Sequence, residues 1–244
     1  MTATTPSQST PESFLSTHEL LSPDPLLYLL QLASPALPVG AYSYSEGLET
    51  LVQNKIITTA ADLSHWLQQE LRYGAIRLES VVIARTYQAM TDGDLDAIAY
   101  WNHWLSAIRD TVEMREQSWQ MGRTLGQLLK KLVPELAPTL EKVGTPCNLA
   151  IAFAIASAHW KIDHRAALSG YLHSWLTNQI GAGIKLIPLG QTEGQSLLLK
   201  LYPDLQQTVE QGLTLPDSGL YGCSWGMAIA SMNHETLYSR LFRS

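Results

Sequence analysis

Three stretches of this chain carry residue types that could do chemistry. Gly222-Cys223-Ser224-Trp225-Gly226 has the G-x-S-x-G spacing with which α/β hydrolases present a serine nucleophile on a strained turn between a strand and a helix. The residues before it include Pro216, Asp217 and Gly219 and make a poor strand. Only His234 and Glu235 follow, side by side, so the order serine, acid, histidine is not met. Gly181-Ala182-Gly183-Ile184-Lys185 places glycines ahead of a lysine but lacks the G-x-x-x-x-G-K-[ST] spacing that cradles phosphate. It also lies in a helical pattern, where small residues permit close helix approach. Metal cages in one chain commonly draw on i, i+4 histidines or CxxC pairs. His18, His65, His103, His159, His164, His173 and His234 show no such spacing, nor do Cys147 and Cys223. A histidine site doubled across a symmetric dimer stays open. No catalytic, cofactor or metal residue is assigned, and hydrolysis through Ser224 is kept as the outlying alternative.

The third stretch is the tail Leu237-Tyr238-Ser239-Arg240-Leu241-Phe242-Arg243-Ser244. Chain ends are ordinarily small and polar, whereas arginine and aromatic side chains are the types that anchor interfaces. The composition reads as a docking segment; the competing reading is that it folds back and closes its own core. The seven tryptophans read as core and helix-contact residues rather than a stacking platform. Arg109, Arg115 and Arg123 alternate with Asp110, Glu113 and Glu116 and read as a solvated helix face.

The elements that must hold these residues are helical. Asp24-Pro25 is an N-cap and first-turn proline opening Leu26 to Leu32. Ser43 and Glu46 have capping-box spacing for a helix to about Gln53. Thr59 caps a third helix with Leu63, Trp66, Leu67 and Leu71 on one face and a bend at Gly74. Asp92-Gly93 is a turn, and Asp94 caps a stretch to about Leu132 that holds two helices or one bent one. Thr145-Pro146 repeats the cap-plus-proline pattern before the run 149–156, apolar nearly all round and hence a central buried helix. Asp163 caps a helix to about Ile187, and further helices are expected over about 193–211 and 219–231. Strand alternation is lacking. The expectation is an all-α, single-domain bundle of about ten helices over residues 25–244, preceded by a serine-, threonine- and proline-rich disordered arm over 1–24.

Net charge is −6 with no basic block, which disfavours nucleic acid and anionic membranes as partners. Two cysteines 76 positions apart suggest no disulfide framework. The first basic residue is Lys55, so no secretory signal is expected, and the longest apolar run is too short to span a bilayer. A cytoplasmic location is expected.

Together the motifs resemble those of the urease accessory protein F family, UreF. The resemblance runs through Leu29-Leu30-Gln31-Leu32, Ser34 to Gly40, Tyr42-Ser43-Tyr44-Ser45 and Gly47-Leu48-Glu49. It returns at Tyr171-Leu172, Ser174-Trp175-Leu176, Asn178-Gln179, Lys185 to Thr192 and Gly194-Gln195, and ends with His234-Glu235-Thr236 and Tyr238 to Ser244. The chain departs from the family pattern at Tyr42, Glu46, Gly181, Gly183 and Leu237. The resemblance implies a non-catalytic, all-helical homodimer that joins a UreD/UreH-like accessory protein and a UreG-like GTPase while nickel is delivered to apo-urease.

It further implies that partners contact three segments. The first is the loop and helix with Pro38, Gly40, Tyr42, Ser43, Tyr44, Glu46, Gly47 and Glu49. The second holds Lys185, Gln191, Thr192 and Gln195. The third is the docking tail 233–244, with His234, Glu235, Tyr238, Arg240, Leu241, Phe242 and Arg243. The tail is expected to be weakly ordered alone and to order against the UreD-like partner. An alternative role is regulation of UreG hydrolysis, with Arg240 as the residue reaching the phosphates.

Overall fold

A computed structural model describes residues 24–243 of the chain. The arm expected over 1–24 lies outside them except for Asp24, and so does Ser244. In chain order the helices are α1 (Pro25–Leu32), α2 (Leu48–Gln53), α3 (Ala60–Tyr73), α4 (Ala75–Asp92), α5 (Leu95–Ala107), α6 (Val112–Leu132), α7 (Ala137–Val143), α8 (Leu149–His159), α9 (His164–Leu186), α10 (Gln191–Thr214) and α11 (Trp225–His234). No strand occurs among the described residues.

Side-chain caps start several of these helices where the sequence places them. Asp24 accepts the Leu26 N–H, Asp94 the Ala97 N–H and Asp163 the Ala166 N–H. Thr59 and Asp62 form a reciprocal capping box that satisfies donors at the start of α3. The bend expected at Gly74 is a full break between α3 and α4. The stretch 95–132 is two helices, parted before Thr111, whose hydroxyl accepts the Met114 N–H.

Helix α8 is the centre. Ala150 to Ala156 are buried without exception, and α8 packs against α4, α6, α9, α5 and α1. Fully burying each of its large side chains contributes about 1.5–3 kcal/mol. Its start lies three residues beyond the Thr145-Pro146 signature. That peptide bond is cis and belongs to a loop, while Asn148 takes the position before the helix. Asn148 is fully buried and tied to its neighbours: its N–H and its Nδ2 donate to Asn102 Oδ1, Nδ2 reaches Ser106 Oγ, and Ser118 Oγ donates to its Oδ1. Long-range amide pairing overrode the local cap signal.

The capping box read at Ser43 and Glu46 is also overturned. Ala41–Ser43 is a 3₁₀ turn, and α2 begins at Leu48 after Gly47, which has φ of 82°. A Cβ on Gly47 would lie 2.9 Å from the Ser231 N of α11, so both the backbone angle and the packing call for glycine there. α7 and the turn Pro134–Leu136 before it were not expected from sequence.

The two glycines of α9 play different parts. A Cβ on Gly183 would come 2.4 Å from Leu63 Cδ2, so α3 and α9 approach closely there, whereas a Cβ on Gly181 meets nothing within 4 Å. Gly181→Ala is therefore expected to stabilise the fold by up to about 1 kcal/mol through helix propensity. Gly183→Ala should destabilise it by about 1–3 kcal/mol through overpacking. Denaturant midpoints of the two variants check the opposite signs.

Candidate partner-docking site

The loop and start of α2 and the tail meet at one corner of the molecule, and Lys185 of the remaining segment reaches it. Glu49, on the first turn of α2, accepts the Leu241 N–H on Oε1 at 2.7 Å and the Phe242 N–H on Oε2 at 3.1 Å. His234 Nε2, at the end of α11, lies 2.8 Å from the same Oε2. The Arg243 N–H donates to Ser43 O at 2.8 Å, and Gln53 Nε2 donates to Ser239 O at 3.2 Å. Lys185 of α9 places its Nζ 5.4 Å from the centroid of the buried Phe242 ring. Asn178, about two turns back along α9, donates to Tyr44 O.

Glu46 is the second tie. Its backbone has φ of 53°, a costly angle for a residue with a side chain. That angle accompanies a carboxylate that receives Trp175 Nε1 at 2.9 Å and Gln117 Nε2 at 2.8 Å. Burial pushes the Glu46 carboxyl up, partly offset by the Trp175 hydrogen bond.

Beside this corner opens a cavity of about 370 Å³, walled by Leu32, Pro35, Val39, Met121, Phe153 and Ala182 and floored by Glu79, Arg109 and Tyr171. Arg109 pairs with Glu79 Oε1 at 2.5 Å, and Tyr171 OH donates to Glu79 Oε2. Burial works against the Arg109 charge, yet Glu79 and Tyr171 hold its pKa above the ordinary value. The reading of Arg109 as part of a solvated face is therefore wrong: its side chain is 6% exposed. It sits between α5 and α6, where the chain turns inward to meet Glu79 of α4. Arg115 instead lies over the Trp119 ring.

Of the expected contact residues, Tyr44, Gly47, Glu49, His234 and Phe242 are buried in the chain's own fold and hold it together rather than face a partner. Glu46 serves the interior in the same way. The tail, expected to be weakly ordered, has its backbone pinned from Ser239 to Arg243. Pro38, Tyr42, Lys185, Glu235, Tyr238, Arg240, Leu241 and Arg243 are exposed around this corner or on its approach, with Gly40 and Ser43 half-buried. Gln191, Thr192 and Gln195 stand exposed on the first turns of α10. Sequence reasoning missed Trp225, Ile229 and Met232, each more than half exposed on α11. Their i, i+4, i+7 spacing on one face of the helix was the available signal.

The model of the UreF family matches residues 57–202 of this chain. The chain belongs to the UreF family. The urease accessory protein UreF of Nostoc sp. (strain PCC 7120 / SAG 25.82 / UTEX 2576) is 61% identical over 218 residues, covering 89% of this chain and 95% of that protein. The urease accessory protein UreF of Microcystis aeruginosa (strain NIES-843 / IAM M-2473) is 54% identical over 225 residues, covering 92% of this chain and all of that protein. The counterpart of Azoarcus sp. (strain BH72) is 43% identical over 90% of this chain and 96% of its own length. UreF membership thus extends well beyond the matched core.

In this UreF chain the hydrolase-like motif is a structural joint. Irregular chain, not a strand, precedes Ser224. Ser224 Oγ accepts the Ala75 N–H at 2.8 Å and lies 3.4 Å from Glu70 Oε2, while the Cys223 N–H donates to Tyr73 O. His234, the only histidine after Ser224, is engaged with Glu49. Ser224 therefore ties the start of α11 to the α3–α4 break. No group of three or more His, Cys, Asp or Glu among the described residues could hold a metal ion. No helix among them is long and apolar enough to cross a membrane.

Glu70 is the most displaced carboxyl at this joint. Burial, reinforced by the Glu46 and Asp110 charges, pushes it up to about 8 from an ordinary value of 4.5. The folded state keeps its proton while the unfolded chain releases it, so the fold loses stability as pH rises from about 4.5 to about 8. The loss is roughly 1.4 kcal/mol per pH unit at most. Glu70→Gln mimics the protonated form and removes this loss. Thermal melts should show little difference from wild type near pH 5 and a clear gain for E70Q at pH 8–9.

Proposed function

We propose that the chain is a docking scaffold in urease maturation, engaging a UreD/UreH-like accessory protein and a UreG-like GTPase as nickel is inserted into apo-urease. The observation that carries this reading is the folding of the tail and the end of α11 onto Glu49 of α2, with Lys185 of α9 beside Phe242. The corner leaves Tyr238, Arg240, Leu241 and Arg243 facing solvent in a chain of the UreF family. Relatives named as urease accessory proteins support the pathway. A guanidinium, an aromatic ring and an aliphatic side chain on one short segment make an interface anchor that pairs with carboxylates and fills apolar pockets. The working unit in this reading is a homodimer, which light scattering of the chain alone would test.

A second reading is favoured by one feature. Arg240 is exposed and makes no hydrogen bond or ion pair among the described residues, which leaves its guanidinium free to approach the phosphates of a bound GTPase. Rates of GTP hydrolysis by a UreG-like protein, with and without this chain, separate scaffolding from regulation.

The exposed pair gives a direct test. Tyr238→Ala with Arg240→Ala should weaken capture of a UreD-like or UreG-like protein at least tenfold. The melting temperature should stay nearly unchanged, because surface substitutions shift stability by less than about 0.5 kcal/mol. Wild-type capture by this double variant in a pull-down would contradict the reading.

A further inference from the structure

The cavity between α1, α6 and α9 takes no part in the docking reading. Its volume of about 370 Å³ falls in the range of about 300–1,000 Å³ usual for small-molecule sites, and most of its wall is apolar. Of the charged side chains that line it, Glu79 and Arg109 answer each other as an ion pair, with the Tyr171 hydroxyl also donating to Glu79. Lys185 lines it from an exposed position, and the His173 ring lies against Tyr202. Glu46 is different. It is half-buried on the cavity wall, with Gln117 Nε2 on Oε1 and Trp175 Nε1 on Oε2. Both donors are neutral, and no cationic side chain pairs with Glu46 among the described residues. The strained φ of 53° belongs to this same residue. The Thr177 hydroxyl, also on the wall, makes no hydrogen bond among the described residues. The rings of Tyr42, Phe153, Tyr171 and Trp175 complete the surroundings.

We propose that this cavity binds a small organic cation, an aryl- or alkylammonium ion, with its charged head on Glu46 and its body against the aromatic and aliphatic wall. A half-buried carboxylate with neutral donors only keeps its charge unanswered, and a cation carried in by a ligand answers it. The ammonium head is also attracted by the negative faces of the surrounding rings, while the body removes apolar wall from water. Burial holds the Glu46 carboxyl above its ordinary value, and a bound cation draws it back down. A bare metal ion does not fit: no group of three or more His, Cys, Asp or Glu among the described residues could hold one, and Glu79 is committed to Arg109. An anion would set a second uncompensated negative charge beside Glu46. The site stands or falls independently of the docking reading.

The test titrates phenethylammonium into the full chain by calorimetry, with phenethyl alcohol as the neutral analogue of the same length. The wild-type chain should bind the ammonium ion at least tenfold more tightly than the alcohol. The Trp175 indole N–H resonance, assigned by its loss in Trp175→Phe, should shift as the ammonium ion saturates. Glu46→Gln keeps the size of the side chain and an acceptor for Trp175. It should lose at least tenfold in affinity for the ammonium ion and keep its affinity for the alcohol. Gly181→Leu leaves Glu46 in place, so the test stands even where E46Q folds poorly. Gly181 lines the cavity, and a Cβ there meets nothing within 4 Å, so the leucine enters open space without a clash. Affinity for both probes should fall at least tenfold in G181L, with a melting temperature no lower than that of the wild type. Equal affinity of the wild-type chain for the two probes overturns the cation site, as does its failure to bind the ammonium ion at concentrations up to about 10 mM. Undiminished ammonium binding by folded E46Q or by G181L overturns it too, because the ion would then sit elsewhere on a chain of net charge −6.

Discussion

A helix that is apolar on every side has to be enclosed on every side, and the rest of this molecule follows from that demand. α8 offers no polar face, so α4, α6 and α9 must lie along it, with α1 and α5 closing the remaining gaps. The ends of α8 then carry the polar work. Asn148 gathers α5 and α6 at one end through Asn102, Ser106 and Ser118. At the other, Trp160 stacks on Tyr28 of α1 at 4.8 Å between ring centroids. α9 starts beside that end and runs far enough to carry Trp175, Asn178 and Lys185 to the corner around Glu46 and Glu49.

Charge inside the bundle is distributed with unequal compensation. Glu79 and Arg109 form a pair with a tyrosine hydroxyl in addition, which leaves little of either charge unanswered. Glu46 has neutral donors only, from Trp175 and Gln117, and Glu70 has a distant serine. Breaking a buried pair leaves an uncompensated charge, which costs far more than the intact pair contributes. The arrangement binds the strained turn at Glu46 and Gly47 to α6 and α9, so this corner and the interior share their polar contacts.

Much of the helical framework was legible in the sequence because its signals are local. Asp24, Asp94, Asp163 and the Thr59 and Asp62 pair act on backbone groups two or three residues away. Ser43 with Glu46 and Thr145 with Pro146 carry comparable local patterns that failed. In the first, partners 71 and 129 positions distant recruit the Glu46 carboxylate. In the second, Asn148 answers to Asn102, 46 positions back. The corner around Glu49 was legible as a set of segments but not as an assembly. Nothing near Glu49 announces that its donors stand 185 to 193 positions later. The split of the tail into one buried ring and four outward side chains could not be read from its composition.

The two thiols differ in a way that is useful at the bench. Cys147 is buried and its thiol is pushed up to about 12, so little thiolate exists there near neutrality. Cys223 is exposed, on the short lead into α11 beside Tyr221 and Trp225. A maleimide dye added to the unmodified polypeptide would therefore mark a single place, next to the bare aromatic stripe of α11. Its emission would report whether that stripe becomes covered when other proteins are added.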